Sequence, residues 1–232
     1  MTGPAAETEL PPSRPVPAWR RVTDGERRWS VGLAVLAVAA GQLTLPGDVV
    51  LGTRWLLPAL EVALLAVLVA ARGPWRDESP HRRRASLVLT GVITVANAAS
   101  VTLLVVGLLD GRIGDDPATL LGAGATIWAT NVIAFALWYW QFDRGGPAER
   151  ARGTREHPDF AFPQMQTPEL APAEWEPGFM DYLYVAFTNA TAFSPTDTMP
   201  LSRWAKATMT LQAAVSLVTV ALVVARAVNV LR

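Results

Sequence analysis

The chain has 232 residues, 51% of them hydrophobic and only 17% charged, with 20 Lys and Arg balanced by 20 Asp and Glu. Soluble domains carry roughly 25% charged residues, and here the apolar residues fall in blocks, so an ordinary soluble domain, a disordered chain and a basic nucleic-acid binder are all excluded. With no cysteine there is no disulfide framework, zinc thiolate site or thiol chemistry.

Residues 1–28 read as a disordered, Pro/Arg-rich tail, with Pro4, Pro11, Pro12, Pro15 and Pro17 opposing regular structure. They lack the charged, apolar, small-residue order of a removable signal peptide. Five apolar blocks follow, each near the roughly 20 residues that cross a bilayer as a helix. The first is Trp29 to Leu45, ended by Pro46-Gly47-Asp48; the second, Trp55 to Ala71, contains Pro58 and Glu61. The third is Leu87 to Leu109. The fourth, Leu120 to Phe142, ends in Trp138-Tyr139-Trp140, an aromatic belt suited to the headgroup region. The last runs from Ser202 to Leu231. Between the fourth and last, 143–178 is a polar loop, and Phe179 to Phe193 is an apolar segment too short to cross. The expected architecture is an all-α polytopic membrane bundle with five transmembrane helices and one re-entrant half-helix: 29–142 a four-helix region, 179–232 the half-helix and last span.

Basic residues set the expected orientation. Arg14, Arg20, Arg21, Arg27 and Arg28 precede the first span. Arg72, Arg76, Arg82, Arg83 and Arg84 separate the second and third, and Arg144, Arg150, Arg152 and Arg155 follow the fourth. The intervening loops hold only Arg54 and Arg112. Alternating spans put every basic cluster on one side, so the N-terminus and the long loop are expected in the cytoplasm and the C-terminus outside. The preference for Arg over Lys fits GC-rich coding, and the expected location is a bacterial cytoplasmic membrane.

Polar residues inside apolar blocks are the candidate functional groups. Glu61 lies six residues into the second block, about 9 Å below the outer surface at 1.5 Å per residue. It reads either as a functional acid or as a structural one paired with a basic residue, Arg226 being the expected partner. On the last block Thr208, Gln212, Ser216, Thr219 and Arg226 share one helical face, which Asn229 extends; Thr90, Thr94 and Asn97 line a face of the third. Such a stripe either bonds neighbouring helices or lines a wet path. Ser194-Pro195-Thr196-Asp197 has capping-box spacing and reads as a helix start, with Pro200 as an alternative start; an ion or substrate contact there, including Thr191, is the competing reading.

The segments Asp159-Phe160-Ala161-Phe162-Pro163, Asp181-Tyr182-Leu183-Tyr184-Val185-Ala186-Phe187-Thr188, Ser194 to Asp197, Ser202-Arg203 and Ala227-Val228-Asn229-Val230-Leu231 resemble those of an uncharacterised bacterial family of five-span membrane proteins. That resemblance implies an architecture and no reaction. More loosely, the order of outer helix, polar turret, short aromatic helix, Thr-rich turn and long inner helix is similar to the pore domain of potassium channels. The filter would fall on Thr191 to Asp197, but no glycine occurs from Phe179 onward and Pro195 would fix φ, so a filter of consecutive carbonyls is not supported.

Catalysis is not expected. His81 and His157 sit in polar loops, and no metal-ligand spacing or membrane-depth Ser-His dyad is present. Asp77-Glu78 and Asp115-Asp116 read as loop charge and Gly145-Gly146 as a turn. No cofactor is implied and no nucleic acid; the expected partners are the lipid bilayer and further copies of the chain. Two functions fit: a channel- or transporter-like module moving an ion or small solute, and a non-transporting scaffold or envelope-homeostasis protein.

Overall fold

In the computed structural model, residues 16–70, 75–113, 116–191 and 197–230 are described. The expectations for the tail before residue 16 and for Ser194, Pro195 and Thr196 lie outside them. Eight α-helices span these residues, and the two strands present have two residues each, so the fold is all-α. The helices are α1 (Trp29–Thr44), α2 (Leu56–Ala70), α3 (Pro80–Leu109), α4 (Pro117–Phe142), α5 (Pro147–Arg152), α6 (Pro163–Gln166), α7 (Phe179–Thr191) and α8 (Arg203–Val230). The strands β1 (Phe160–Ala161) and β2 (Met199–Pro200) pair antiparallel, Phe160 opposite Pro200 and Ala161 opposite Met199.

Local chemistry sets the helix ends. Ser79 caps α3 by accepting from the Arg82 N–H, and Pro80 fills its first position, where no N–H is needed. The charged turn from Pro80 to Arg84 therefore belongs to α3, seven residues ahead of the apolar block. Asp116 caps α4 through the Ala118 and Thr119 N–H groups, with Pro117 next, so this acid is a cap and not idle loop charge. Helix α8 begins at Arg203, and Ser202 Oγ accepts from the Ala205 N–H. Pro200, the alternative helix start, lies in β2, and Asp197 lies in an exposed bend.

Among the described residues, three helices are long and apolar enough to cross a membrane: α3, α4 (continuing toward Arg152) and α8. Helices α1 and α2 are apolar but have 16 and 15 residues. At 1.5 Å per residue they reach about 24 and 22 Å, short of a roughly 30 Å hydrocarbon core.

Helix α4 is the central post, packed by α1, α3, α7 and α8. Close approach is built into its sequence. A Cβ on Gly124 would stand 2.8 Å from the Val223 methyls of α8, and a Cβ on Gly41 of α1 would stand 3.1 Å from Thr126. Helix α2 packs on α1 and α3. Two apolar cores form. One gathers Val35, Ile93, Phe135, Tyr139, Trp140, Phe179, Tyr182 and Val185 near the end where α1, α3 and α8 begin. The other gathers Leu45, Val49, Leu104, Leu120, Ile127 and Val223 toward the opposite end. Leu217, Val220, Val224 and Val228 of α8 and Val62, Val67 and Val69 of α2 remain exposed, apolar side chains on the outside of the bundle.

Candidate functional site

Two polar systems stand out, one inside the bundle and one at its basic end. The first is the expected stripe. Gln212 and Ser216 are 0% and 1% exposed, so the face predicted for α8 turns inward. The Tyr139 hydroxyl donates to Gln212 Oε1 at 2.6 Å, and Asn189 Nδ2 donates to the same oxygen at 2.8 Å. Gln212 Nε2 donates to the Ala186 carbonyl at 2.8 Å. Asn97 Nδ2 donates to Asn131 Oδ1 at 3.3 Å, and Asn131 Nδ2 to Ser216 Oγ at 3.1 Å. One residue from α3, one from α4 and one from α8 thus form a ladder across the interior. Thr90, Thr94, Thr191, Thr208 and Thr219 donate to carbonyls of their own helices, and Trp138 Nε1 donates to Thr94 Oγ1.

Not every predicted member joins this system. Asn229 is exposed near the end of α8. Arg226 is half-buried with its Nε unpartnered. Glu61 is fully buried and receives Gln42 Nε2 at 2.8 Å, leaving its other oxygen without a partner. Among the described residues no ion pair joins Glu61 to Arg226. The reason is placement: α2 packs on α1 and α3, whereas α8 packs chiefly on α4 and α7. The partner of Glu61 is therefore an amide from α1.

The second system, a polar knot, folds the 143–178 loop onto the helices. Beyond α4 the chain reverses through Arg144, Gly145 and Gly146, with φ of +50°, +84° and +100°. Two glycines supply left-handed geometry without steric cost. Arg144, the one non-glycine residue with positive φ among those described, is held by its contacts. Its Nε donates to the Arg155 carbonyl at 2.9 Å, its Nη1 to the Trp19 carbonyl, and its backbone N–H to Asp159 Oδ2 at 2.9 Å. Asp143, 0% exposed, accepts from the Asp159 N–H at 2.8 Å, the Phe160 N–H and the Tyr182 hydroxyl. Arg150 donates to the Trp140 and Asp143 carbonyls at 2.7 and 3.0 Å and lies over the Tyr182 ring. Trp204 Nε1 reaches Asp159 Oδ1 at 2.8 Å.

Glu26 ties the N-terminal segment into this knot. Its carboxylate accepts from the Phe179 N–H at 2.7 Å and from Trp140 Nε1, while its carbonyl accepts from Trp75 Nε1 at 2.8 Å. An acid thus caps α7 from far away in sequence, at the positive end of the helix, beside Asp181, which accepts the Gly178 N–H. Burial pushes the Glu26 carboxyl above the usual carboxylate range, and the Phe179 and Trp140 bonds only partly oppose it.

Reading the sequence for apolar runs missed Glu26, Asp143, Asp159 and Tyr182 as a unit. The available signal was Asp143-Arg144 directly after an aromatic helix end, a place where charge commonly meets water but here is covered. No group of three His, Asp or Glu among the described residues could hold a metal ion. His81 and His157 are exposed. In comparisons with known proteins, no family model, no curated protein and no solved structure matches the chain.

Proposed function

We propose that the chain is a multi-pass scaffold of a bacterial cytoplasmic membrane that does not carry solute through its own interior. In this reading α3, α4 and α8 cross, the short α1 and α2 also cross where the bilayer thins to meet them, α7 dips in without crossing, and the basic end with its folded cap (the N-terminal segment and 143–178) faces the cytoplasm. The observation that carries it is the inward pairing of the α8 stripe. Gln212 bonds to α4 and α7, and Ser216, Asn131 and Asn97 bond to one another, with the buried Asn97 Oδ1 the one amide oxygen of the set left without a partner, whereas a conducting path needs such groups turned toward water. The rigid product of these bonds is a platform, and its most elaborate surface is the cap. Trp75 meets Trp140 edge to face and Trp204 meets Phe142, rings that this reading puts at the boundary where aromatic side chains settle in membranes.

Flux of monovalent cations, anions and small neutral solutes into proteoliposomes tests the scaffold reading. Rates equal to protein-free vesicles are expected, and Asn131→Leu should lower stability without creating flux. A selective flux that Ser216→Ala or Asn131→Leu alters would establish a conducting path instead. Orientation is tested by single cysteines at Ser79 and Thr154, which should both resist an impermeant reagent applied outside cells. Labelling at position 154 would reverse the topology.

A further inference from the structure

A crevice at the basic end borders the stripe at Thr90 and the knot at Trp75 and Trp140. It opens between α1, α2, α3 and α4 and encloses about 40 Å³. Its body is apolar, with Val35, Leu65, Leu68, Leu89 and Leu137 among its walls, while Arg28, Glu78 and Arg82 stand among its lining as the charged groups. By volume it could hold roughly three waters, but apolar walls keep such a space dry and suit a slender hydrocarbon chain better.

The charged side of the crevice is unbalanced. Two guanidinium groups, Arg28 and Arg82, line it beside one carboxylate, Glu78. Arg82 Nη1 is shielded from solvent and has no hydrogen-bond acceptor, and the buried Glu78 Oε2 has no donor. A guanidinium N–H in that position lacks the oxygen that its planar fork is suited to bind. Arg28 is held over the Trp75 ring at 4.3 Å, which fixes its plane beside the opening.

We propose that this crevice binds an anionic phospholipid, its phosphate held by Arg28 and Arg82 and one acyl chain laid along the apolar cleft between α1 and α2. Charge complementarity selects an anionic head, and the apolar walls select a chain attached to it. A free anion would satisfy the arginines and leave the cleft empty. Basic pockets between membrane helices recognise anionic headgroups by this combination. Gly32 marks the cleft from the α1 side: it lines the crevice, and a Cβ built there meets nothing within 4 Å. A larger side chain at this helical position would enter the space that the lipid chain takes.

This inference rests on the membrane placement of the bundle but not on the absence of transport, because flux through the protein would leave its lipid preference unchanged. The test is native mass spectrometry of the full chain released from detergent micelles containing phosphatidylglycerol or phosphatidylcholine. The wild type is expected to retain phosphatidylglycerol about fivefold better or more, the size of roughly one basic contact. Gly32→Leu and Arg82→Gln should each reduce the preference to within about twofold, while Arg84→Gln, at an exposed arginine of the same helix, should preserve it. Millimolar inorganic phosphate should not displace the lipid. Equal retention of the two lipids, an unchanged preference in Arg82→Gln, or displacement by phosphate would overturn the site. If Gly32→Leu fails to fold, as judged by its melting curve, the half-buried Arg82 carries the test.

Discussion

Gln212 offers the sharpest measure of how the bundle is held together. Its side chain makes three hydrogen bonds to three different residues, Tyr139, Asn189 and Ala186, from a position with no solvent exposure. Substituting Leu keeps the volume and removes all three. Interhelical hydrogen bonds in membrane proteins average about 0.6 kcal/mol each, and a buried hydroxyl left without a partner costs about 1 kcal/mol or more. Asn189 keeps its second acceptor, the Met209 carbonyl, so Tyr139 is the group that is orphaned. The expected loss is therefore about 2–3 kcal/mol, since apolar burial against lipid returns little. Tyr139→Phe alone should cost about 1 kcal/mol, and the double variant should fall short of additivity by a similar amount. Reversible unfolding in mixed micelles, titrated with a denaturing detergent, reads all three variants. A loss below about 0.5 kcal/mol in Gln212→Leu would refute the stripe as structural glue.

Packing, acidity and the knot give three more expectations. Gly124→Ala brings a methyl against Val223 and should destabilise by about 1–2 kcal/mol after its helix-propensity gain is counted, with Val223→Ala restoring most of the loss in the same titration. Because burial raises the Glu26 carboxyl above its ordinary 4.5, the folded state holds that proton more tightly than the unfolded chain. Stability should fall as pH rises from about 4.5 through the raised folded value, and Glu26→Gln should make this fall shallower, the remainder belonging to Glu78, Asp143 and Asp181, which burial also raises; parallel melting-temperature profiles for the two proteins would contradict it. Arg144→Ala removes the ties to Arg155 and Trp19, so trypsin should cut at the exposed Arg155 several-fold faster, by roughly the local opening that those bonds suppress.

Helix positions were legible in the sequence wherever apolar content alone decides them. The first, second, fourth and last apolar blocks match α1, α2, α4 and α8 to within three residues at each end. The error at α3 has a physical source: Arg82, Arg83 and Arg84 continue the helix in a solvated turn that hydropathy discounts but Ser79 and Pro80 announce. The inward face of α8 was legible because polar residues at helical spacing must find partners, yet which helix supplies them is a matter of packing. Glu61 shows the limit. Its depth and cost could be read, whereas its partner Gln42 lies on α1 in a position no spacing rule connects. The knot was illegible for the same reason, since Glu26 meets Phe179 across 153 positions.

The central place of α4 has a consequence for how the chain is made. When α4 leaves the ribosome, Asn97 on α3 already exists, but the Ser216 and Gln212 partners of Asn131 and Tyr139 belong to the last helix. Until α8 is made, α4 carries polar groups without their partners on the face that α8 will cover. A chain that stops before α8 leaves Asn131 without Ser216 and Tyr139 without Gln212, so this 28-residue helix acts as a seal on assembly.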